Sequence, residues 1–220
     1  MAANWMRRTL MVAACASAAL LAACGSSTTE SAITPQRFIA FGDAMNDVGQ
    51  NGSRYTVNDG SVNNWTLQVV ANYGKSLTPV SAGGLSYATG NARVSAKPDA
   101  AGNASTRTVT EQIDAFLASG SFAATDVVMV SGGVSDVIAG MAAVNAGTLT
   151  QDAMVAAARK AGEDLAAQVR RLVTAGAKYV VVTGTYDLSK TPWAKTIGRE
   201  ALLSNASSRF NEGLLVGIVD

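Results

Sequence analysis

The sequence predicts an α/β domain: a parallel β-sheet with helices on both faces, which is a three-layer α/β/α arrangement. Three short apolar runs, at residues 37–42, 126–130 and 179–183, have the composition and length of buried strands. Longer segments with the apolar spacing of helices separate them, and no hairpin pattern is present. Strands that alternate with helices form βαβ units, whose sheet is parallel. The length of 220 residues suits one substantial domain.

Four segments have apolar residues at helical spacing, and these are residues 64–73, 108–117, about 150–175 and about 197–218. The third is the strongest, and Gly176 fits its C-terminal cap. Its predicted core positions are Met154, Ala158, Ala161, Leu165, Val169 and Leu172, and Lys160 is placed to pair with Asp164 one turn later. The predicted core positions of the last helix are Leu202, Phe210, Leu214 and Leu215.

The charge and the reactive residue types exclude several function classes. Seventeen basic residues balance sixteen acidic ones, so no electrostatic footprint for nucleic acid exists. The chain contains no histidine, and its two cysteines, Cys15 and Cys24, lie near the N-terminus. Zinc sites rarely use carboxylates alone. A hard cation held by aspartate and carbonyl oxygens is the alternative that stays open, but no EF-hand spacing supports it, so we expect no metal and no cofactor.

The N-terminal segment has the pattern of a targeting signal. A basic start is followed by an apolar stretch at residues 9–23, which is short for a membrane-spanning helix and suits a signal peptide. The stretch ends in Leu-Ala-Ala-Cys24, which resembles the lipobox of bacterial lipoproteins. An ordinary signal peptide with an incidental cysteine is the alternative. We predict a signal peptide at 1–23, an acylated Cys24 inserted in membrane lipid, a flexible tether at 24–36 and a domain at 37–220.

The residue after Gly25 is Ser26 rather than an aspartate, so no signal for retention in the inner membrane is evident. The expected location is therefore the cell envelope, with a lipid anchor in the outer membrane.

Three motifs follow the predicted strands and turns. The first is Phe-Gly-Asp-Ala44-Met-Asn-Asp-Val-Gly after the first strand, the second is Ser-Tyr-Ala-Thr-Gly90-Asn-Ala, and the third is Ser-Gly-Gly-Val-Ser135-Asp136-Val after the second strand. Together they resemble the blocks of the SGNH/GDSL hydrolase family of esterases, lipases and acylhydrolases. The resemblance covers nearly all of residues 37–220.

The resemblance implies a flavodoxin-like sheet, an ester or acyl ligand, and a role for each motif. Ala44 stands at the position of the nucleophilic serine, Gly90 at that of the oxyanion-hole glycine, and Ser135 at that of the oxyanion-hole asparagine. The family's fourth block, Asp-x-x-His, is absent, so the resemblance implies that the last strand and helix are missing and that no intact catalytic residue is present. As ordinary structural alternatives, Gly90 is a turn glycine, and Ser135 or Asp136 is a helix N-cap.

Three functions are compatible with these motifs. The first is a family lipoprotein that is degenerate or truncated and has no activity. The second is an esterase that uses unusual residues, such as Ser86 or Ser131 with Lys75. The third is a non-catalytic envelope protein that binds a lipid, an acyl group or a glycan. The missing strand would also leave residues 179–183 as an unpaired apolar edge, which predicts a dimer or aggregation.

Overall fold

The computed structural model describes residues 32–55 and 60–219. The predicted signal peptide and Cys24 lie outside these residues. The described elements, in chain order, are β1 (Phe38–Phe41), α1 (Trp65–Asn72), α2 (Val109–Leu117), β2 (Val127–Ser131), α3 (Val134–Asn145), α4 (Gln151–Thr174), β3 (Tyr179–Thr183), α5 (Pro192–Ile197) and α6 (Glu200–Val219). No helix in this part of the chain combines the length and the apolarity needed to span a membrane.

The three strands form one parallel sheet in the order β1-β2-β3. Phe41 lies beside Val130, and Ser131 lies beside Thr183, so all three strands end at the same edge of the sheet. Residues 85–87 cover the outer edge of β1, because the N–H of Ala40 donates to Leu85 and the N–H of Tyr87 donates to Ala40. The predicted parallel sheet is confirmed.

The two faces of the sheet contact different helices. Ile39 and Phe41 of β1 belong to the main core, which α2, α3, α4 and α6 complete. On the opposite face, the ring of Phe38 lies 5.6 Å from that of Tyr73, at the end of α1. The sheet is therefore the middle layer of a three-layer α/β/α arrangement.

The helix predicted at about 150–175 is confirmed as α4. Thr150 caps its N-terminus by accepting the N–H of Ala153, and Gly176 follows its C-terminus in the left-handed region with φ 106°. The six predicted core positions are all buried, and Lys160 pairs with Asp164. The long contact between α4 and α6 passes over Gly162, where an added Cβ would strike the backbone carbonyl of Phe210.

The last helix, predicted at about 197–218, is α6 in the structure, and the short helix α5, which was not predicted, precedes it. Thr191 caps α5 and Pro192 is its first residue, while Gly198 ends it in a left-handed conformation with φ 62°. The prediction was wrong for Leu215, whose side chain is 65% exposed rather than part of the core.

Strand β3 was predicted as a buried apolar run and as an unpaired edge, and the structure contradicts the first prediction and agrees with the second in the described residues. Tyr179 and Val181 are 39% and 43% exposed, and no strand in the described residues pairs with the outer edge of β3. Val180 and Val182, whose side chains point to the other face, pack partly buried against the core. The strand therefore forms where predicted, but one face and one edge of it are open.

Candidate functional site

The loops that follow the three strands meet at the carboxyl edge of the sheet. Each strand is followed by a glycine, at Gly42, Gly132 and Gly184. Because the strands are parallel and in register, these loops are neighbours in space, which is where α/β sheets bind ligands.

The turn that carries Ala44 is held rigidly. Gly42 has φ 140°, and an added Cβ would overlap the hydroxyl of Ser131. The buried side chain of Gln112 brackets this glycine: its Oε1 accepts the N–H of Gly42 at 2.8 Å, and its Nε2 donates to the carbonyl at 3.0 Å. The position of Ala44 is therefore fixed by a glycine-only turn and two hydrogen bonds to a neighbouring helix.

Asp43 lies directly beneath this turn and is fully buried. Its Oδ1 accepts the hydroxyl of Ser131 at 2.9 Å and the N–H of Met45 at 3.1 Å. Its Oδ2 has no hydrogen-bond partner among the described residues. Burial raises the pKa of Asp43, and the hydrogen bonds from Met45 and Ser131 oppose this shift only in part.

A cleft of about 570 Å³ opens beside Ala44. The side chains around it are uncharged, and they include three aromatic residues, three amides and three hydroxyls, two of them phenolic. The lining residues are Ala44, Met45, Tyr55, Asn63, Asn64, Trp65, Asn91, Val134, Ser135, Ile138 and Tyr186. The structure thus brings the predicted positions Ala44 and Ser135 together in one cleft.

Ser135 does not cap a helix. Gly133, with φ 107°, is the N-cap residue of α3, and Ser135 lies in the first turn, so the N-cap prediction for Ser135 and Asp136 was wrong. An added Cβ at Gly133 would lie 2.6 Å from the ring of Phe210, so the close packing of α6 requires a glycine there. Asp136 instead binds the loop before α2.

The carboxylate of Asp136 accepts the N–H of Val94 at 3.1 Å and the Nε of Arg93 at 3.3 Å. Its side chain is almost fully buried. Burial raises the pKa of Asp136 to about 6, against the opposing effects of Val94 and Arg93. This ion pair does not line the cleft, and both of its residues line a separate cavity of about 280 Å³.

Gly90 is buried at a turn, and its backbone N–H is already engaged. It donates to Oδ2 of Asp47 at 2.7 Å. The ring of Tyr55 packs against Gly90 so closely that an added Cβ would require the ring to move. The adjacent Asn91 lines the cleft with a left-handed backbone, φ 64°, and its side-chain amide donates to the hydroxyl of Tyr55 at 3.2 Å. An oxyanion could therefore receive the N–H of Gly90 only if Asp47 released it.

The structure does not support Ser86 or Ser131, paired with Lys75, as an alternative nucleophile. Ser86 and Ser131 are both fully buried, and the hydroxyl of Ser131 is bound to Asp43. Lys75 is exposed, and its ammonium donates to Gln36 at 3.3 Å. Neither serine has the access that attack on a substrate requires.

Several lining residues were missed from the sequence. Tyr186 was detectable in principle, because it follows the glycine at the end of the third strand. Trp65 is the first residue of α1, and Tyr55 and Asn91 come from the irregular region before α2, where no apolar period marks a side chain as facing a cleft.

No curated protein sequence matches the chain. The family model of the GDSL-like Lipase/Acylhydrolase matches residues 38–216, a span that runs from the first residue of β1 into the last turn of α6. The parallel sheet, the turn at Gly42 on its carboxyl edge and this match together establish that the chain belongs to the GDSL-like lipase/acylhydrolase family.

Proposed function

We propose that this chain is a family member that does not hydrolyse esters. The observation that carries the proposal is Ala44, whose methyl group stands on the turn where the family places its nucleophile. A methyl group cannot form an acyl-enzyme, and the chain has no histidine to act as the base. Residues of such a catalytic unit act together, so the loss of several removes most of the rate enhancement.

The oxyanion positions support the same proposal. Ser135 replaces an asparagine with a shorter donor, and the N–H of Gly90 is bound to Asp47. Removal of one oxyanion donor typically costs about 3 kcal/mol of transition-state stabilisation. A serine or base elsewhere would have to compensate for all of these changes.

Hydrolysis of a short-chain p-nitrophenyl ester by the purified protein tests the proposal. We expect release of p-nitrophenolate at the rate of buffer alone. Turnover that a serine-reactive phosphonate abolishes would refute the proposal, and replacement of individual serines by alanine would then identify the nucleophile.

A second candidate function, non-catalytic binding, is favoured by the cleft itself. It has the volume of a small-ligand site, and its aromatic rings and amides suit an uncharged ester, acyl or glycan ligand. Binding of such a ligand without turnover, measured by calorimetry, would support this function.

We also propose that Cys24 anchors the protein in the outer membrane through acyl chains, with residues 24–36 as the tether. The apolar stretch at residues 9–23 and the Leu-Ala-Ala-Cys pattern that ends at Cys24 support this proposal. Metabolic labelling with an alkyne analogue of palmitate should tag the protein. We expect Cys24→Ala to abolish the label and Cys15→Ala to retain it; the opposite result would place the lipid elsewhere.

A further inference from the structure

A polar cavity of about 430 Å³ opens on the segments between β1 and α2. It lies between Gln50 and Asn51 of the loop after β1, residues from 80 to 89, and the loop at 103–107, and we call it the Arg107 pocket. It shares no lining residue with the cleft beside Ala44. Nine of the ten described residues that line it have a polar side-chain group, the exception being Val80, so the pocket suits a hydrophilic ligand.

Four serine and threonine hydroxyls of the pocket already donate their protons to the protein. The pairs are Ser81 with the carbonyl of Gln50 (2.9 Å), Thr89 with the carbonyl of Tyr87 (3.2 Å), Ser105 with Oδ1 of Asn103 (2.8 Å) and Thr106 with Oδ2 of Asp99 (2.7 Å). Each partner is a carbonyl or carboxylate oxygen, so the hydroxyl must be the donor. A hydroxyl that has donated its one proton can still accept a hydrogen bond. These four oxygens therefore suit a ligand that brings hydroxyl protons of its own.

Arg107 contributes the only charged side chain among the described residues that line the pocket. No described residue pairs with its guanidinium. Asn103 supplies a second donor, because its Oδ1 accepts both the N–H and the hydroxyl of Ser105 while its Nδ2 has no partner in the described chain. Asp99 does not line the pocket, and its buried carboxylate is occupied by two backbone N–H groups and the hydroxyl of Thr106. The pocket therefore offers an anion one cation without a counter-ion.

We propose that the Arg107 pocket binds a sugar acid, a small ligand with several hydroxyls and one carboxylate. The ligand hydroxyls donate to the serine and threonine oxygens, and the carboxylate pairs with the guanidinium, whose N–H groups can reach both carboxylate oxygens. An uncharged sugar would leave Arg107 without a counter-ion, and a simple inorganic anion would bring no protons for the four hydroxyl oxygens. A single cation favours a monoanion over a phosphate ester, whose charge at pH 7 is close to two. Binding there requires nothing of Ala44 or of the cleft.

Titration of the ¹⁵N-labelled protein with D-glucuronate, followed by two-dimensional NMR, tests the assignment. D-glucose has the hydroxyls without the carboxylate, and acetate has the carboxylate without the hydroxyls. At pH 7 and constant ionic strength, D-glucuronate should bind at least about tenfold more tightly than either. Its largest shifts should fall on backbone amides at residues 103–107 rather than on those of the cleft.

Three variants separate the charge, the hydroxyl oxygens and nonspecific attraction. Arg107→Gln should weaken D-glucuronate binding about tenfold and leave D-glucose within about twofold. Arg170→Gln, at an exposed arginine of α4 that also has no partner in the described residues and does not line the pocket, should change neither. Ser81→Ala removes one acceptor oxygen and should weaken both sugars about threefold while leaving acetate unchanged. All three positions are exposed, so the fold should tolerate the substitutions.

The remaining outcomes overturn the proposal. If D-glucuronate does not bind, or binds no more tightly than D-glucose and acetate, the pocket does not recognise a sugar acid. Equal effects of Arg107→Gln and Arg170→Gln would reduce the attraction to net charge alone. If D-glucose 6-phosphate binds more tightly than D-glucuronate and loses its affinity in Arg107→Gln, the anion is a phosphate and the carboxylate assignment is wrong. Shifts confined to cleft residues such as Asn91 and Tyr186 would place the ligand in the cleft instead.

Discussion

Oδ2 of Asp47 accepts the backbone N–H of Gly90 at 2.7 Å, and so joins the two loops that flank the cleft. The other oxygen of this buried carboxylate accepts the N–H groups of Gly49 and Gln50, each at 2.8 Å. One carboxylate therefore closes the loop after β1 on itself and attaches it to the turn at Gly90. These hydrogen bonds hold the two loops in place, and they engage the backbone N–H of Gly90, which is then not free to donate to a ligand.

Asp47→Asn should destabilise the protein, because an asparagine has one acceptor oxygen and would direct its NH2 group at a buried backbone N–H. The unpaired donor costs about 2 kcal/mol. Urea unfolding followed by circular dichroism would measure the change. Asp152→Asn, at an exposed position in the first turn of α4, is the control and should cost less than about 1 kcal/mol. An equal effect of the two substitutions would contradict the structural role of Asp47.

Ala44→Ser should not restore esterase activity. The new hydroxyl would lie on a correctly built turn, but no histidine exists to accept its proton. Asp43 is buried beneath the turn with its Oδ1 already bound to Ser131 and Met45. We expect p-nitrophenyl acetate to be hydrolysed no faster than by the parent chain. A phosphonate-sensitive gain in rate would show that another group in the cleft serves as the base.

The strand positions and the turn at Ala44 could be predicted because they depend on local patterns. Short runs of apolar residues that end at a glycine are typical of buried strands. The open face of β3 could not be predicted from Tyr179-Val-Val-Val-Thr183 itself, because it depends on whether another element covers the strand, and the unpaired edge was expected only from the family resemblance. Val181 is exposed because no element of the described residues covers it.

The start of α3 shows a second limit. Serine and aspartate are favoured N-caps, but Gly133 takes that place because the ring of Phe210, from far along the chain, leaves no room for a Cβ. The engagement of Gly90 by Asp47 is likewise a contact between distant positions. Motif spacing located Ala44 and Ser135 in the cleft but could not reveal which donors are already bound.

Gly162→Ala should destabilise the domain by about 2 kcal/mol, because the added methyl would strike the backbone of α6 at Phe210, which cannot move aside alone. Gly140→Ala is the matched control within a helix. Its Cβ would lie 2.9 Å from the side chain of Met154, which has rotatable bonds, and alanine favours the helix. Thermal melts of both variants compare them directly. A melting temperature that falls equally in both would argue against the close α4–α6 contact.

Val181→Lys should reduce self-association. Strand β3 has no charge and no proline along its open edge, and natural edge strands use such residues to prevent pairing. We expect sedimentation velocity to show dimers or larger species for the parent chain and more monomer for Val181→Lys. Val173→Lys, at an exposed helical position, should behave as the parent does. A parent chain that is monomeric and melts sharply at all concentrations would contradict the prediction.

Asp136→Asn should reduce the dependence of stability on pH. Burial raises the pKa of Asp136 to about 6, whereas an aspartate in an unfolded chain has a pKa of about 3.9. The Asp136 carboxyl therefore binds its proton more tightly in the folded state than in the unfolded chain. The contribution of Asp136 to stability is therefore complete below about pH 4 and is lost as the pH rises through about 6, a change of up to about 3 kcal/mol.

Asp43, whose pKa burial also raises, acts in the same direction, so part of the pH dependence should remain in Asp136→Asn. The asparagine keeps an oxygen that can accept the N–H of Val94, which preserves the loop. Urea unfolding at intervals from pH 4 to pH 7 would give the free energy of unfolding for the parent, for Asp136→Asn and for the exposed control Asp152→Asn. The parent and the control should lose stability over this range more steeply than Asp136→Asn. If the three profiles are parallel, Asp136 is ionised in the folded state throughout, and its pairing with Arg93 outweighs its burial.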